Sequence, residues 1–247
     1  MSGAAHRNPD PGGPGAPAAL WEDLLHPAER SRLEQAGFAR RSGFGRRPAA
    51  LVIDAQNYMV GPVGDEDLEY PSSCGATGRQ ALGRIRLVLD AARAAGAPVF
   101  FTRFELARDG SDMGVYRAKR DLLASEGWCL HGSVGARIAD VVAPQATEMV
   151  LVKNKPSAFF GTPLLAMLVD RAVDSIVVMG GSTSNCVRAT VVDAASYNLR
   201  VSVPADCVFD RIDVSHRVAL FDIDRQYGDV VWADEVADRF SRIGTPA

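Results

Sequence analysis

From Ser175 to Ala195 the chain reads SIVVMGGSTSNCVRATVVDAA, and few architectures accept such a stretch. Ser175 to Met179 is a short β-branched run of the kind that forms a buried strand. Gly180 and Gly181 end it. Ser182, Thr183 and Ser184 follow, with side-chain oxygens suited to capping a helix. From Cys186 onward, Val187, Thr190, Val191 and Ala194 fall at helical spacing. The pattern is strand, tight glycine turn, helix, with a thiol in the first turn. A helix N-terminus presents unpaired N–H groups and partial positive charge. That setting predicts a stabilised thiolate at Cys186 and a place for an oxyanion. The same position also suits a small buried core residue.

The alternation recurs. Strands are expected at Ala49–Asp54, Ala97–Thr102, Thr147–Lys153, Asp174–Met179, Leu199–Pro204 and Asp229–Trp232. Helices are expected at Thr77–Ala95, Val115–Ala124, after Thr162-Pro163, from Cys186, and over Ser215–Tyr227. Strands separated by helices predict an α/β fold, a three-layer doubly wound parallel sheet of six strands. Asn57–Thr77 is a long loop, and the rest of 103–136, with Trp128 and His131, also reads as loop.

The 247 residues, 47% hydrophobic and 23% charged, suffice for one large domain. Residues 1–18 are rich in Gly, Ala and Pro and read as a disordered tail. Residues 19–47 form an N-terminal arm, helical in two pieces broken at Pro27, and expected to pack on a neighbouring subunit. Residues 48–247 form the domain proper. A net charge of -3 without a basic stripe argues against nucleic acid. Apolar runs fall short of a membrane span, and the N-terminus lacks a secretory pattern. A cytoplasmic protein is the expectation. The four cysteines are far apart and match neither a disulfide framework nor a metal motif.

Ligands of doubly wound folds bind beyond the carboxyl ends of the strands. Asp54, Lys153 and Cys186 all stand at or just past such ends. A thiolate attacks an amide carbonyl to give a thioester, and a base must take its proton. No histidine is well placed by sequence, whereas Asp54 is. Lys153 balances the two negative charges, and the three would titrate together. Singly, each has an ordinary alternative: Asp54 as a turn-bonded carboxylate, Lys153 as a solvated or Asp54-paired cation. Arg211, in CVFDR after the fifth strand, falls on the same rim. Its planar fork suits a carboxylate, or it pairs with Asp210 or Asp206.

The segments LVIDAQN, KNKPSAFFGTPL and GGSTSNCVRATVVDAA resemble the isochorismatase-like cysteine hydrolases from about Arg46 onward. STSNCVRATVVDA, CVFDR and SHRVALFDIDRQYGDV are most similar to the branch that acts on N-carbamoylsarcosine. The resemblance implies a triad of Asp54, Lys153 and Cys186. The family lysine lies four residues before the serine of SAF, which selects Lys153 over Lys155. It also implies a cis peptide at Gly181–Ser182 and an oxyanion hole of the Ser182 and Cys186 N–H groups. Arg211, Gln56, Phe159 and Thr183 become candidate substrate-binding residues. The implied activity is hydrolysis of a small carboxylate-bearing amide or ureido compound by a homotetramer without a cofactor. N-carbamoylsarcosine leads, maleamate follows, and neutral biuret-like ureas come third. Metal-binding relatives carry a DxH element; no histidine occurs here between His26 and His131, so no metal is expected. Relatives that cleave a vinyl ether lack the cysteine. A catalytically idle binding partner is the rival from another class, disfavoured by three intact motifs.

Overall fold

The sheet grows outward from β1 (Pro48–Ile53), which is buried along its whole length. The computed structural model describes residues 16–61, 70, 72–119 and 129–243. On one side of β1 lie β2 (Val99–Phe104) and β3 (Met149–Lys153). On the other lie β4 (Ser175–Gly181) and β5 (Arg200–Pro204). A two-residue β6 (Val208–Phe209) pairs with β4, and β7 (Asp229–Val231) closes that edge. The order is β3-β2-β1-β4-β5-β7 with β6 off the path, and every pairing is parallel. The expected sheet therefore stands, with seven strands rather than six. The extra strand was unreadable because only its pairing with Gly180 and Gly181 makes it one.

The helices are α1 (Pro27–Ala36), α2 (Asn57–Val60), α3 (Gly75–Ala94), α4 (Tyr116–Lys119), α5 (Leu164–Asp170), α6 (Arg188–Ser196), α7 (Asp213–Gln226) and α8 (Ala233–Ser241). Successive residues of a strand point to opposite faces. Ala50 and Val52 of β1 therefore join Ile85 and Leu89 of α3 and Val236 and Phe240 of α8. Ala49, Leu51 and Ile53 join Leu164 of α5, Val191 of α6 and Leu220 of α7. Those two apolar layers sandwich the sheet. Among the described residues, no helix is long and apolar enough to cross a membrane.

Several expectations change. Asn57–Thr77 is not all loop: α2 occupies its start and α3 begins inside its end. Pro27 does mark the break between two helical pieces: short turns end at Leu24 and α1 opens with Pro27 in its first turn. Residues 1–15 lie outside the described part, but Pro17–Leu20 is a short helical turn with Pro17 buried, so the tail ends earlier than expected. The arm packs on its own chain. Trp21 is 4% exposed in the core layer of α5 to α7. Arg217 bonds the Leu20 carbonyl and pairs with Asp23. The Asp229 carboxylate accepts the N–H groups of Ser42 and Gly43. Asp174 accepts those of Arg46 and Arg47. Of the helix expected at Val115–Ala124, α4 supplies four residues; the remainder, and Trp128, lie outside the described residues.

Candidate active site

Strand order reverses between β1 and β4, since β1 leads to β2 and β3 while β4 leads to β5 on the other side. A crevice opens at such a switch point. Asp54 follows β1 and Cys186 follows β4, so both flank it. Ile53 lies opposite Gly180 in the register. No other residue fits at Gly180: φ is +105° and an added Cβ would sit inside the Ile53 carbonyl. At Gly181 an added Cβ would enter the Phe209 ring. The two glycines thus let β4 run tight against its neighbours up to the turn. The peptide Gly181–Ser182 is cis, as the resemblance implied.

Lys153 ends β3, with β2 between it and β1. Its long side chain crosses that gap, passing Phe104, whose ring centroid lies 5.2 Å from Nζ. Nζ reaches Asp54 Oδ2 at 2.6 Å and the Lys155 carbonyl at 3.2 Å. Asp54 Oδ1 accepts from Thr102 Oγ1 at 2.6 Å. The two paired side chains are 0% and 1% exposed. The Cys186 thiol interacts electrostatically with both the Asp54 carboxylate and the Lys153 ammonium. Three groups from distant segments therefore meet in one dry cluster.

Their ionisation follows from that dryness. Burial pushes the Cys186 thiol up to about 12; Lys153 opposes the shift and Asp54 adds to it. This reverses the expected stabilised thiolate. Desolvation outweighs the lysine, so the resting group is a thiol. Burial alone would lower the Lys153 ammonium, but Asp54 and Cys186 outweigh it and its pKa rises. The Lys153 ammonium therefore stands charged beside a neutral thiol. Asp54 is then the group within reach of the thiol proton.

The turn after β4 also differs from expectation. Thr183–Val187 is a π-helical turn ahead of α6, and no side chain of that stretch caps it. The acceptor comes from Asp210, whose Oδ2 takes the Ser184 N–H at 2.8 Å while Oδ1 takes that of Arg211 at 2.8 Å. Thr183 is fully buried, with Oγ1 2.8 Å from His216 Nδ1. Ser182 is buried at the same turn.

Arg211 does not pair with Asp210 or Asp206 through its guanidinium. Nε donates to the Ser72 carbonyl at 2.7 Å and Nη2 approaches Met59 Sδ at 3.5 Å. Asp206 is taken by Arg84 and the Ala233 N–H. Among the described residues, no carboxylate neutralises Arg211. It lines a pocket of about 370 Å³ with Thr77, Asp210 and His216.

One candidate has its amide turned to backbone. Gln56 donates to the Phe104 and Ala136 carbonyls at 3.1 and 2.7 Å and accepts the Phe104 N–H at 2.7 Å. Its amide is consumed by tying β2 to the following loop. Phe159 is buried, with its ring 5.4 Å from that of Tyr197, in the core layer that also holds Cys186. Two contributors were missed. Thr102 closed the expected second strand and carried a strand-end signal like Asp54's. Tyr58 is buried in α2 and feels Asp54, Cys129, Cys186 and Arg211. Burial first, then the three negative partners, keep its hydroxyl protonated far into alkaline pH. Its hydroxyl is thus coupled electrostatically to both the thiol cluster and Arg211. Among the described residues, no group of three or more His, Cys, Asp or Glu side chains is placed to hold a metal ion.

Residues 48–235 match the family model described as Isochorismatase domain. The chain is 35% identical over 227 residues to an N-carbamoylsarcosine amidase of an Arthrobacter species, covering 89% of this chain and 80% of that one. It is 38% identical over 198 residues to a maleamate amidohydrolase of Pseudomonas putida, covering 80% and 88%. A crystal structure of a cysteine hydrolase from Pseudomonas syringae pv. phaseolicola superposes with a TM-score of 0.72 at 25% identity, covering 83% of this chain and 98% of that one.

Proposed function

The chain belongs to the isochorismatase family, and from that premise we propose that it is a cysteine amidohydrolase with Asp54, Lys153 and Cys186 as its catalytic residues. One observation carries the reading: the Cys186 thiol is buried within the electrostatic reach of both members of a buried Lys153–Asp54 ion pair. As sulfur attacks the substrate carbonyl, its proton passes to Asp54. Asp54 then delivers that proton to the departing nitrogen. Lys153 balances the charge of the carboxylate in this buried pair. The N–H groups of Ser182 and Cys186 hold the oxyanion. Water, activated by Asp54, releases the acyl group and restores the thiol.

The substrate we infer is a small amide or ureido compound bearing a carboxylate. Arg211 supports this, because its guanidinium sits on the same rim with no described carboxylate partner. N-carbamoylsarcosine, cleaved with water to sarcosine, carbon dioxide and ammonia, is the first choice. Maleamate is the second, favoured by the 38% identity to a maleamate amidohydrolase. A cytoplasmic enzyme is consistent with four free cysteines. A homotetramer completes the reading, with Ile212, Val214 and Val218 exposed at the start of α7 as its apolar patch; sedimentation velocity tests it.

The decisive screen measures ammonia from N-carbamoylsarcosine, maleamate, N-carbamoyl amino acids and biuret, using wild type and Cys186→Ala. The proposal expects release from an acidic amide by wild type and none above background from the variant. Undiminished release by folded Cys186→Ala would end the proposal.

A further inference from the structure

Thr183 is fully buried three positions before Cys186, at the turn that carries the thiol. A buried hydroxyl needs a fixed partner, and the one it has comes from a different element. His216, on the first turn of α7, places Nδ1 2.8 Å from Thr183 Oγ1. The ring also lines the pocket of about 370 Å³ shared by Arg211, Asp210, Thr77 and Cys74. One wall of that pocket is braced independently: Asp210 holds the backbone N–H groups of Ser184 and Arg211, and Thr77 Oγ1 donates to the Asp210 carbonyl at 3.2 Å. The histidine thus bridges the cationic pocket and the thiol turn.

We propose that His216 is a positioning residue for substrate recognition: it fixes the rotor of the Thr183 hydroxyl, so that this group and Arg211 meet the substrate in one orientation. The inference rests on the reading of Thr183 as a substrate-binding residue. Imidazole suits the task because its neutral form donates at one nitrogen and accepts at the other. It can hold a hydroxyl in either sense without adding a second cation beside Arg211. Lysine and arginine cannot accept, and a leucine would leave the hydroxyl free to turn.

The test compares His216→Leu, His216→Asn, His216→Gln, Thr183→Val and the Leu/Val double variant in steady-state assays. Loss of one neutral hydrogen bond is worth roughly fivefold in binding. His216→Leu should therefore raise KM about fivefold while kcat stays within about twofold. Asparagine places a polar atom near the Nδ1 position and should recover most of the loss, whereas glutamine reaches the Nε2 position and should not. The double variant should be no worse than the larger single, because both remove the same contact. Additive losses, equal behaviour of Asn and Leu, or an unchanged KM in Thr183→Val beside a raised one in His216→Leu would overturn the inference.

A readout free of turnover separates this from the amidohydrolase reading. Imidazole nitrogen resonances of the wild-type chain, with His216 assigned by its absence in His216→Asn, should show the Nδ1 signal moving in Thr183→Val. An unmoved signal would overturn the inference even in an active enzyme. A moved signal in a chain inactive on every amide would sustain the contact and sink the substrate reading instead.

Discussion

Lys153–Asp54 and Arg84–Asp234 are both ion pairs at 2.6 Å. The first has side chains 0% and 1% exposed, the second 36% and 69%. Equal geometry hides unequal physics. Around Arg84, water screens each charge and would solvate either partner left alone. Around Lys153 there is no water to do so, and removing one partner strands a charge. Each member of the buried pair also acts electrostatically on a third group, the Cys186 thiol. What distinguishes the active rim is thus the environment of its charges and not the distance between them.

The strongest way to break the comparison is Lys153→Met. Stranding Asp54 should cost about 3–5 kcal/mol of stability, read by urea denaturation, together with nearly all turnover. Pairing it with Asp54→Leu should restore much of the stability and none of the activity. Recovery of activity would mean that the pair only supports the fold. Arg211→Ala should raise KM for acidic amides by about 1.5–3 kcal/mol of lost charged hydrogen bonding and leave neutral amides nearly unchanged. Equal losses on both classes would contradict carboxylate recognition.

The thiol gives a smaller effect with a definite sign. Its folded pKa of about 12 exceeds the ordinary 9.0. The stability linked to it is complete below pH 9 and is lost as pH rises toward 12, because the unfolded chain gives up that proton first. Cys186→Ser should therefore lose less stability than wild type between pH 9 and 10.5, by about 1.4 kcal/mol per pH unit at most. Parallel profiles would show that the thiol is not desolvated. The smallest effect belongs to the exposed pair: Asp234→Asn should change stability by less than about 0.5 kcal/mol, since Arg84 keeps Asp206 at 2.6 Å.

The sheet was legible because strands buried on both faces must be apolar throughout, and such runs end visibly at Asp54, Lys153 and Gly180. The clustering of Asp54, Lys153 and Cys186 was legible for the same reason, since strand ends converge on one rim. Chain direction carries no information on where a side chain turns. Gln56 therefore read as a ligand although its amide faces backbone. The thiol was misjudged because a helix start is visible in sequence and desolvation is not. Asp210 escaped notice as a cap because it acts on Ser184 across 26 positions. The arm was expected on a neighbouring subunit because its contacts, from Trp21 in the core layer to Arg46 and Arg47 on Asp174, join positions far apart in the chain. The final helix, α8, was missed, although Ala233, Val236 and Phe240 repeat at helical spacing.

The central claim is that the Cys186 sulfur, held neutral by burial beside Lys153 and Asp54, becomes covalently acylated during turnover. Acid quenching within the first turnover on the best substrate of the screen, followed by peptide mass spectrometry, tests it directly. The account predicts the substrate's acyl mass on the peptide containing Cys186 and none on those containing Cys74, Cys129 or Cys207. Full turnover with Cys186 unmodified at every quench time, or an adduct on another cysteine, would contradict it.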